Sequence, residues 1–311
     1  MSKFLVTGGA GFIGSHIVER LVQDKHYVRV LDNFSSGKIS NLDSVKNKVD
    51  LIKADICSKE ICLKATKNID FVLHQAALRS VPKSIELPHE YNRVNIDGTL
   101  NMLEAARENK VKRFVFASSS SIYGEVNVFP EKETFIPSPI SPYALSKLTG
   151  EHYCKIFSLH FGLPAVALRY FNVFGPRQAL DDEYAVVIPK FINCLLNDEQ
   201  PPIFGNGKQS RDFTFVQNVV EANLLSAKAS KINYGVFNVA GGQDTTILDL
   251  VNILNRILDK DIPALLLAKR KGDVFKTLAD IKLSRKILKY RPIVDFIAGL
   301  KITAKYWKEN A

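Results

Sequence analysis

The sequence predicts an α/β fold: a Rossmann-type doubly wound parallel sheet with a smaller α/β region interleaved with it towards the C-terminus. Three observations carry this. Short β-branched and aromatic runs alternate with amphipathic stretches through the first half of the chain. The runs are nearly continuous in apolar residues, as strands covered on both faces are. The first of them leads directly into a glycine-rich turn, GGAGFIG, at residues 8–14.

In chain order, KFLVTG is the first strand, residues 12–24 the helix opened by the glycines, and YVRVLD the second strand. LIKADI and DFVLH read as the third and fourth strands. A helix over about 90–109 precedes the strand KRFVFASS, and a second helix from Pro142 to about Phe161 precedes PAVALRYF. After Phe171 the rhythm changes. NVFGPRQALDDEYA is loop-like, VIPKFINCLL helical, and PPIFGNGKQSRDF polar and glycine-rich. A helix at about 217–229, the short strand VFNVA and a helix at 246–258 resume the α/β pattern, before a basic tail containing RKGD and a last amphipathic stretch. No internal repeat is present, so the expected division is a domain at 1–171, completed by about 213–241, with 172–212 and 242–311 forming the second region.

Composition narrows the class. With 311 residues, 46% hydrophobic and 24% charged, the chain is an ordinary globular protein able to bury a large core. No apolar run approaches the roughly 18 residues that a membrane span needs, and the N-terminus breaks into glycines too early for a signal peptide. A cytoplasmic protein is expected. Cys57, Cys62, Cys154 and Cys194 form neither a CxxC pair nor zinc-ligand spacing, so no metal site is expected. The net charge is +10, and residues 260–311 hold 13 basic against 5 acidic residues. Such a tail suits a polyanionic partner, a nucleotide diphosphate before nucleic acid, for which no motif is present.

The glycine turn is the strongest motif. Gly8, Gly11 and Gly14 follow a strand and open a helix, a context in which a pyrophosphate approaches the helix N-terminus closely, beside Phe12 and Ile13. Asp32 ends the second strand 18 residues after Gly14, where a carboxylate binds ribose hydroxyls and repels a 2′-phosphate. Asn33 and the following FSSGK bring no adjacent arginine, which favours NAD over NADP. Asp55 and Ile56 are placed to flank the adenine.

Tyr143 and Lys147 stand at i, i+4 on one helix face. An ammonium beside a phenol is expected to lower the tyrosine pKa from about 10 towards neutrality. Ser118 to Ser121, the hydroxyl run after FVFA, lie at a strand end without any carboxylate.

Together, Gly8–Gly14, Asp32, HQAA at 74–77, Ser119 with Tyr123–Gly124, Tyr143/Lys147 and RYFNVFGPR resemble the extended short-chain dehydrogenase/reductase family over about residues 3–292. HQAALRSVPKSI, VNIDGTLNML and SRDFTFVQN most resemble its UDP-N-acetylglucosamine 4-epimerase branch. In the 4,6-dehydratases of that family the strand end reads Thr-Asp-Glu, where this chain has Ser119, Ser120 and Ser121. Serines supply neither the acid nor the base that elimination requires. The resemblance therefore implies reversible C4 epimerisation of a UDP-hexose through a 4-keto sugar, with tightly bound NAD. Tyr143 would be the base, assisted by Ser119, with Lys147 on the nicotinamide ribose, Tyr170 near the nicotinamide, and Ala76 and Asn95 beside the cofactor.

The same resemblance puts Ser121 near the sugar, Asn172 and Arg211 on the diphosphate, Phe204 near the uracil, and Arg270 with Asp273 on phosphate and ribose. Thr277 matches a position where a small residue admits an N-acetyl group, implying UDP-GlcNAc/UDP-GalNAc and also UDP-Glc/UDP-Gal. Two departures stand out. Arg79 replaces a small residue expected in the N-acetyl branch and would face either the cofactor phosphates or a substrate carboxylate, which leaves a UDP-uronic acid substrate open. Asn218 replaces an aspartate common in the family, a replacement the N-acetyl branch shares. Related enzymes pair the helices near 90–109 and 142–161 between subunits, so a homodimer is expected, with Val94, Leu100, Leu103, Leu148 and Phe157 among the apolar residues on those helices.

Overall fold

Seven parallel strands form the central sheet of the computed structural model, which describes residues 1–180, 187–268 and 274–310. They are β1 (Lys3–Thr7), β2 (Tyr27–Asp32), β3 (Asp50–Lys53), β4 (Phe71–His74), β5 (Arg113–Ser119), β6 (Ala165–Tyr170) and β7 (Tyr234–Val239). Their spatial order is β7-β6-β5-β4-β1-β2-β3. The chain winds outward one way through β1, β2 and β3, then the other way from β4. The crevice above β1 and β4 is thus the switch point where doubly wound folds bind ligands.

Alternation along the strands explains the two covering layers. Phe4 and Val6 join one core with Ile17, Val18 and Leu21 of α1 (Phe12–Gln23). Leu5 joins the other, below α2 (Lys59–Thr66), α3 (Gly98–Glu108) and α4 (Pro142–Phe161). A third core, holding Phe174, Phe191, Phe215, Leu250 and Leu300, lies outside the sheet. It gathers α5 (Val187–Leu196), the start of α6 (Val216–Lys228), α7 (Ile247–Leu258) and α8 (Phe296–Glu309).

Local chemistry fixes α4, the helix that carries Tyr143 and Lys147. Ser141 caps it by accepting the Ala144 amide at 3.1 Å, Pro142 opens it, and Gly162 closes it in the left-handed region at φ +65°. Gly150 lets this helix lie close to β5, since a Cβ there would sit 2.3 Å from the Phe116 ring. Behind the strand end, Glu151 of α4 holds Arg169 of β6 at 2.8 Å and accepts the Ser118 hydroxyl. The pair is buried on both sides, so the residue beside Ser119 is firmly held.

Two expectations need correction. The helix expected at about 90–109 is three pieces: Pro88–Tyr91, a wider π-type turn at Asn92–Asp97, and α3. Gly98 marks the junction, because a Cβ there would meet Ile56 at 2.7 Å. The strand expected through LIKADI ends at Lys53, which leaves Asp55 and Ile56 free to line the crevice.

The segment after β5 is fastened to the C-terminal region by Glu131, whose amide donates to Leu278 and whose carbonyl accepts the Asp280 amide. The residue is 2% exposed and one carboxyl oxygen has no partner among the described residues. Burial first, and the charge of Asp212 second, push its pKa up to about 8. The folded-state pKa lies above the unfolded one, so this group's contribution is full at low pH and is lost as pH rises towards 8. Glu131→Gln keeps the neutral form. Its stability gain over the native protein is expected to grow by about 2–4 kcal/mol between pH 5 and pH 8 and then level off, read by denaturant titration. A gain independent of pH would contradict a buried neutral acid.

Candidate active site

The crevice is a cavity of about 610 Å³ whose walls include the glycine turn, Asp32, Ala76, Tyr143, Lys147 and Tyr170. Gly8 sits at φ +65° and runs so close under the next strand that a Cβ would lie 2.8 Å from the Ala76 nitrogen. Gly11 caps α1 without a side chain, so the first helical amides, at Phe12 and Ile13, face the cavity as anion-binding donors. Asp32 accepts the Ala10 amide at 2.9 Å and the Phe34 amide at 2.8 Å. Burial raises its pKa and these two amides oppose the rise. Its remaining lone pairs suit ribose hydroxyls. Asn33 donates to Asp55 at 3.0 Å, and both line the same end with Ile56. The donor and acceptor set fits a dinucleotide with a free 2′-hydroxyl.

Asn95 is placed differently from the expectation. Its amide donates to Leu78 O and Ser146 Oγ, its carbonyl accepts the Leu78 amide, and it does not line the cavity. It braces the 76–79 loop from behind. Tyr170 does face the cavity, with its hydroxyl held by Gln75 at 3.1 Å and Asn223 at 2.8 Å.

At the catalytic end, the Ser121 amide and hydroxyl both donate to Ser119 Oγ, at 3.2 and 2.9 Å. With those two bonds accepted, the Ser119 proton is available to the Tyr143 oxygen, within hydrogen-bond reach. Burial raises the Tyr143 pKa, while the Ser119 hydrogen bond and the Arg79 charge pull it down. The expected pull from Lys147 is not among these. Its ammonium donates to Ala117 O at 2.9 Å and lies 5.9 Å from the centre of the Tyr143 ring. The shared helix face is as expected, but the long lysine stem delivers the charge to the strand end. Burial lowers the Lys147 pKa to about 8, so it keeps its proton at pH 7.

The residues expected at the substrate end gather outside the cavity wall. Asn172 donates to Asp212 O and to Thr277 Oγ1, and Arg211 donates to Ser210 O and Phe275 O. Phe204 ends the short strand Pro202–Phe204, paired with Leu265–Leu267. Arg270 and Asp273 lie outside the described residues. Asn218 is buried and holds Val294 O and the amides of Ile293 and Val294, a structural tie.

Some features were missed in sequence. The Gln75–Asn223 pair behind Tyr170 joins residues 148 apart, and nothing local marks Asn223. His74, in the HQAA run, is buried between Thr7 and Thr99, and burial lowers its pKa to about 3, so it is a neutral strut.

The family model described as NAD dependent epimerase/dehydratase family matches residues 4–240. A putative UDP-glucose 4-epimerase of Methanocaldococcus jannaschii is 37% identical over 308 residues, spanning 98% of each chain. Among solved structures, the UDP-N-acetylglucosamine 4-epimerase of Methanobrevibacter ruminantium, in complex with UDP-N-acetylmuramic acid, is 44% identical with a TM-score of 0.96, covering 100% of this chain and 99% of that one. The UDP-glucose 4-epimerase of Thermus thermophilus, in complex with NAD, is 35% identical with a TM-score of 0.90, covering 99% of both. The chain belongs to the NAD dependent epimerase/dehydratase family, and NAD is its cofactor.

Proposed function

We propose that the protein reversibly inverts C4 of a UDP-hexose, with UDP-GlcNAc/UDP-GalNAc as the preferred pair and UDP-Glc/UDP-Gal also accepted. NAD, when bound, supplies the hydride acceptor and donor. Tyr143 takes the proton from the sugar O4, with Ser119 and its donor Ser121 bridging hydroxyl and phenolate. Lys147 holds the nicotinamide ribose, and Asn172, Arg211 and Phe204 hold the UDP while the keto sugar turns over. The third core, outside the sheet, serves as the substrate-binding region.

The observation carrying this reading is the Ser121–Ser119–Tyr143 hydroxyl chain beside a dinucleotide cavity. It handles a hydroxyl proton and contains no carboxylic acid to expel water. The solved Methanobrevibacter relative supports the N-acetylated pair. One observation favours a second reading, a UDP-uronic acid: Arg79 lines the cavity near Tyr143 and makes no hydrogen bond or ion pair among the described residues. Incubation with UDP-GlcNAc, UDP-Glc and UDP-GlcA, followed by chromatography, tests both. C4 epimers of the first two support the proposal, turnover of UDP-GlcA alone selects the second reading, and loss of water, or of CO₂ from UDP-GlcA, rejects C4 epimerisation.

We also infer a homodimer through α4. Leu103 and Phe157 are buried against the sheet and Val94, Leu100 and Leu148 partly so, but Leu145, Ile156 and Leu159 remain 52, 42 and 66% exposed on α4. A monomeric mass by light scattering would rule the dimer out.

A further inference from the structure

Thr277 does more than leave room. Its Oγ1 accepts the Asn172 side-chain amide at 2.9 Å and the Asp212 backbone amide at 3.2 Å, so both lone pairs are used. The other proton of the Asn172 amide goes to Asp212 O at 3.0 Å. Asn172 itself is a non-glycine residue in the left-handed region, at φ +33°, a conformation that persists where its surroundings impose it. The surroundings are well anchored. The Thr277 amide donates to Ser210 O, and the Asp212 carboxylate accepts the amides of Gly241, Gly242 and Ala279.

We propose that Thr277 is a positioning residue: its hydroxyl locks the strained Asn172 in place and, since both side-chain protons of Asn172 are used inside the protein, it is the Asn172 backbone amide that it sets against the nucleotide diphosphate, whichever sugar is attached. This rests on the UDP-sugar reading above. It adds a clamp at the nucleotide to the room that Thr277 leaves at the sugar. Valine keeps the shape of threonine but has no acceptor. Two half-buried amide bonds, from Asn172 and Asp212, then lose their acceptor at once, and the hold on Asn172 loosens.

Calorimetric titration of the protein with UDP tests this independently of turnover. Thr277→Val is expected to weaken UDP about tenfold. The KM should rise by the same factor for UDP-GlcNAc and UDP-Glc, with the loss in KM rather than kcat, as for removal of uniform binding. Thr277→Ser keeps the hydroxyl and should retain native affinity, while Thr277→Ala should match valine, so the serine–alanine pair decides the matter if the valine variant folds poorly. Combined with Asn172→Ala, Thr277→Val should add almost nothing further. Equal UDP affinity in the native, valine and alanine proteins, or a change confined to discrimination between the two sugars, would overturn the proposal. A native protein that fails to bind UDP removes the UDP-sugar reading as well, which keeps the two failures distinct.

Discussion

Tyr143→Phe is expected to cut C4 epimerisation by about a hundred- to ten-thousand-fold while NAD and UDP remain bound. The phenol stands in the cavity wall between Ser119, which can pass it a proton, and the cofactor space. Removing one oxygen takes away the base for the O4 proton and its hydrogen bond with Ser119, while the variant ring fills the same space. Burial raises the pKa of this phenol, and the groups opposing the rise are the Ser119 hydroxyl and Arg79, with Lys147 engaged at Ala117. Single-turnover assays with release of bound NAD as a loading control check the result. Native turnover in Tyr143→Phe would transfer the acid–base role elsewhere.

Gly14→Ala is expected to abolish stable NAD retention and to lower stability by about 3 kcal/mol, near the upper end of ordinary overpacking. A Cβ at Gly14 would fall 2.1 Å from Gly8 O, 2.8 Å from Gly8 C and 2.8 Å from Gly9 Cα. All three are backbone atoms of the turn that brings the pyrophosphate to α1, so no side chain can swing aside. The turn itself must move, and with it the Phe12 and Ile13 amides. Cofactor content after purification and the denaturation midpoint measure the effect. A variant that keeps a full complement of NAD and native stability would contradict the tight-turn account. Gly162→Ala is a useful contrast: at φ +65° with nothing within 4 Å of its Cβ, that site incurs conformational strain alone.

Much of this architecture is legible in sequence because its signals are local. Strand alternation, the glycine spacing, Asp32 after the second strand, and the Ser141–Pro142 start of α4 all act within a few residues. Tyr143 and Lys147 were readable as one face for the same reason. What i, i+4 spacing does not carry is where a four-carbon stem ends, and Lys147 reaches Ala117 rather than the phenol. Asn95 looked like a cofactor ligand, but the π-type turn at Asn92–Asp97 aims it at Leu78. Glu131 sits in a charged run, EKE, where nothing local marks burial, and tertiary contacts with 278–280 bury it. The Thr277–Asn172 bond joins positions 105 apart, which no window of local pattern spans.

The decisive measurement is isotopic. Epimerisation run in D₂O and followed by NMR at C4 is expected to give product with no deuterium there, because the hydrogen leaves and rejoins the same carbon as hydride, which does not exchange with water. Deuterium at C4 would mean that the carbon exchanged with solvent, and the mechanism assigned to Tyr143 and NAD would be wrong.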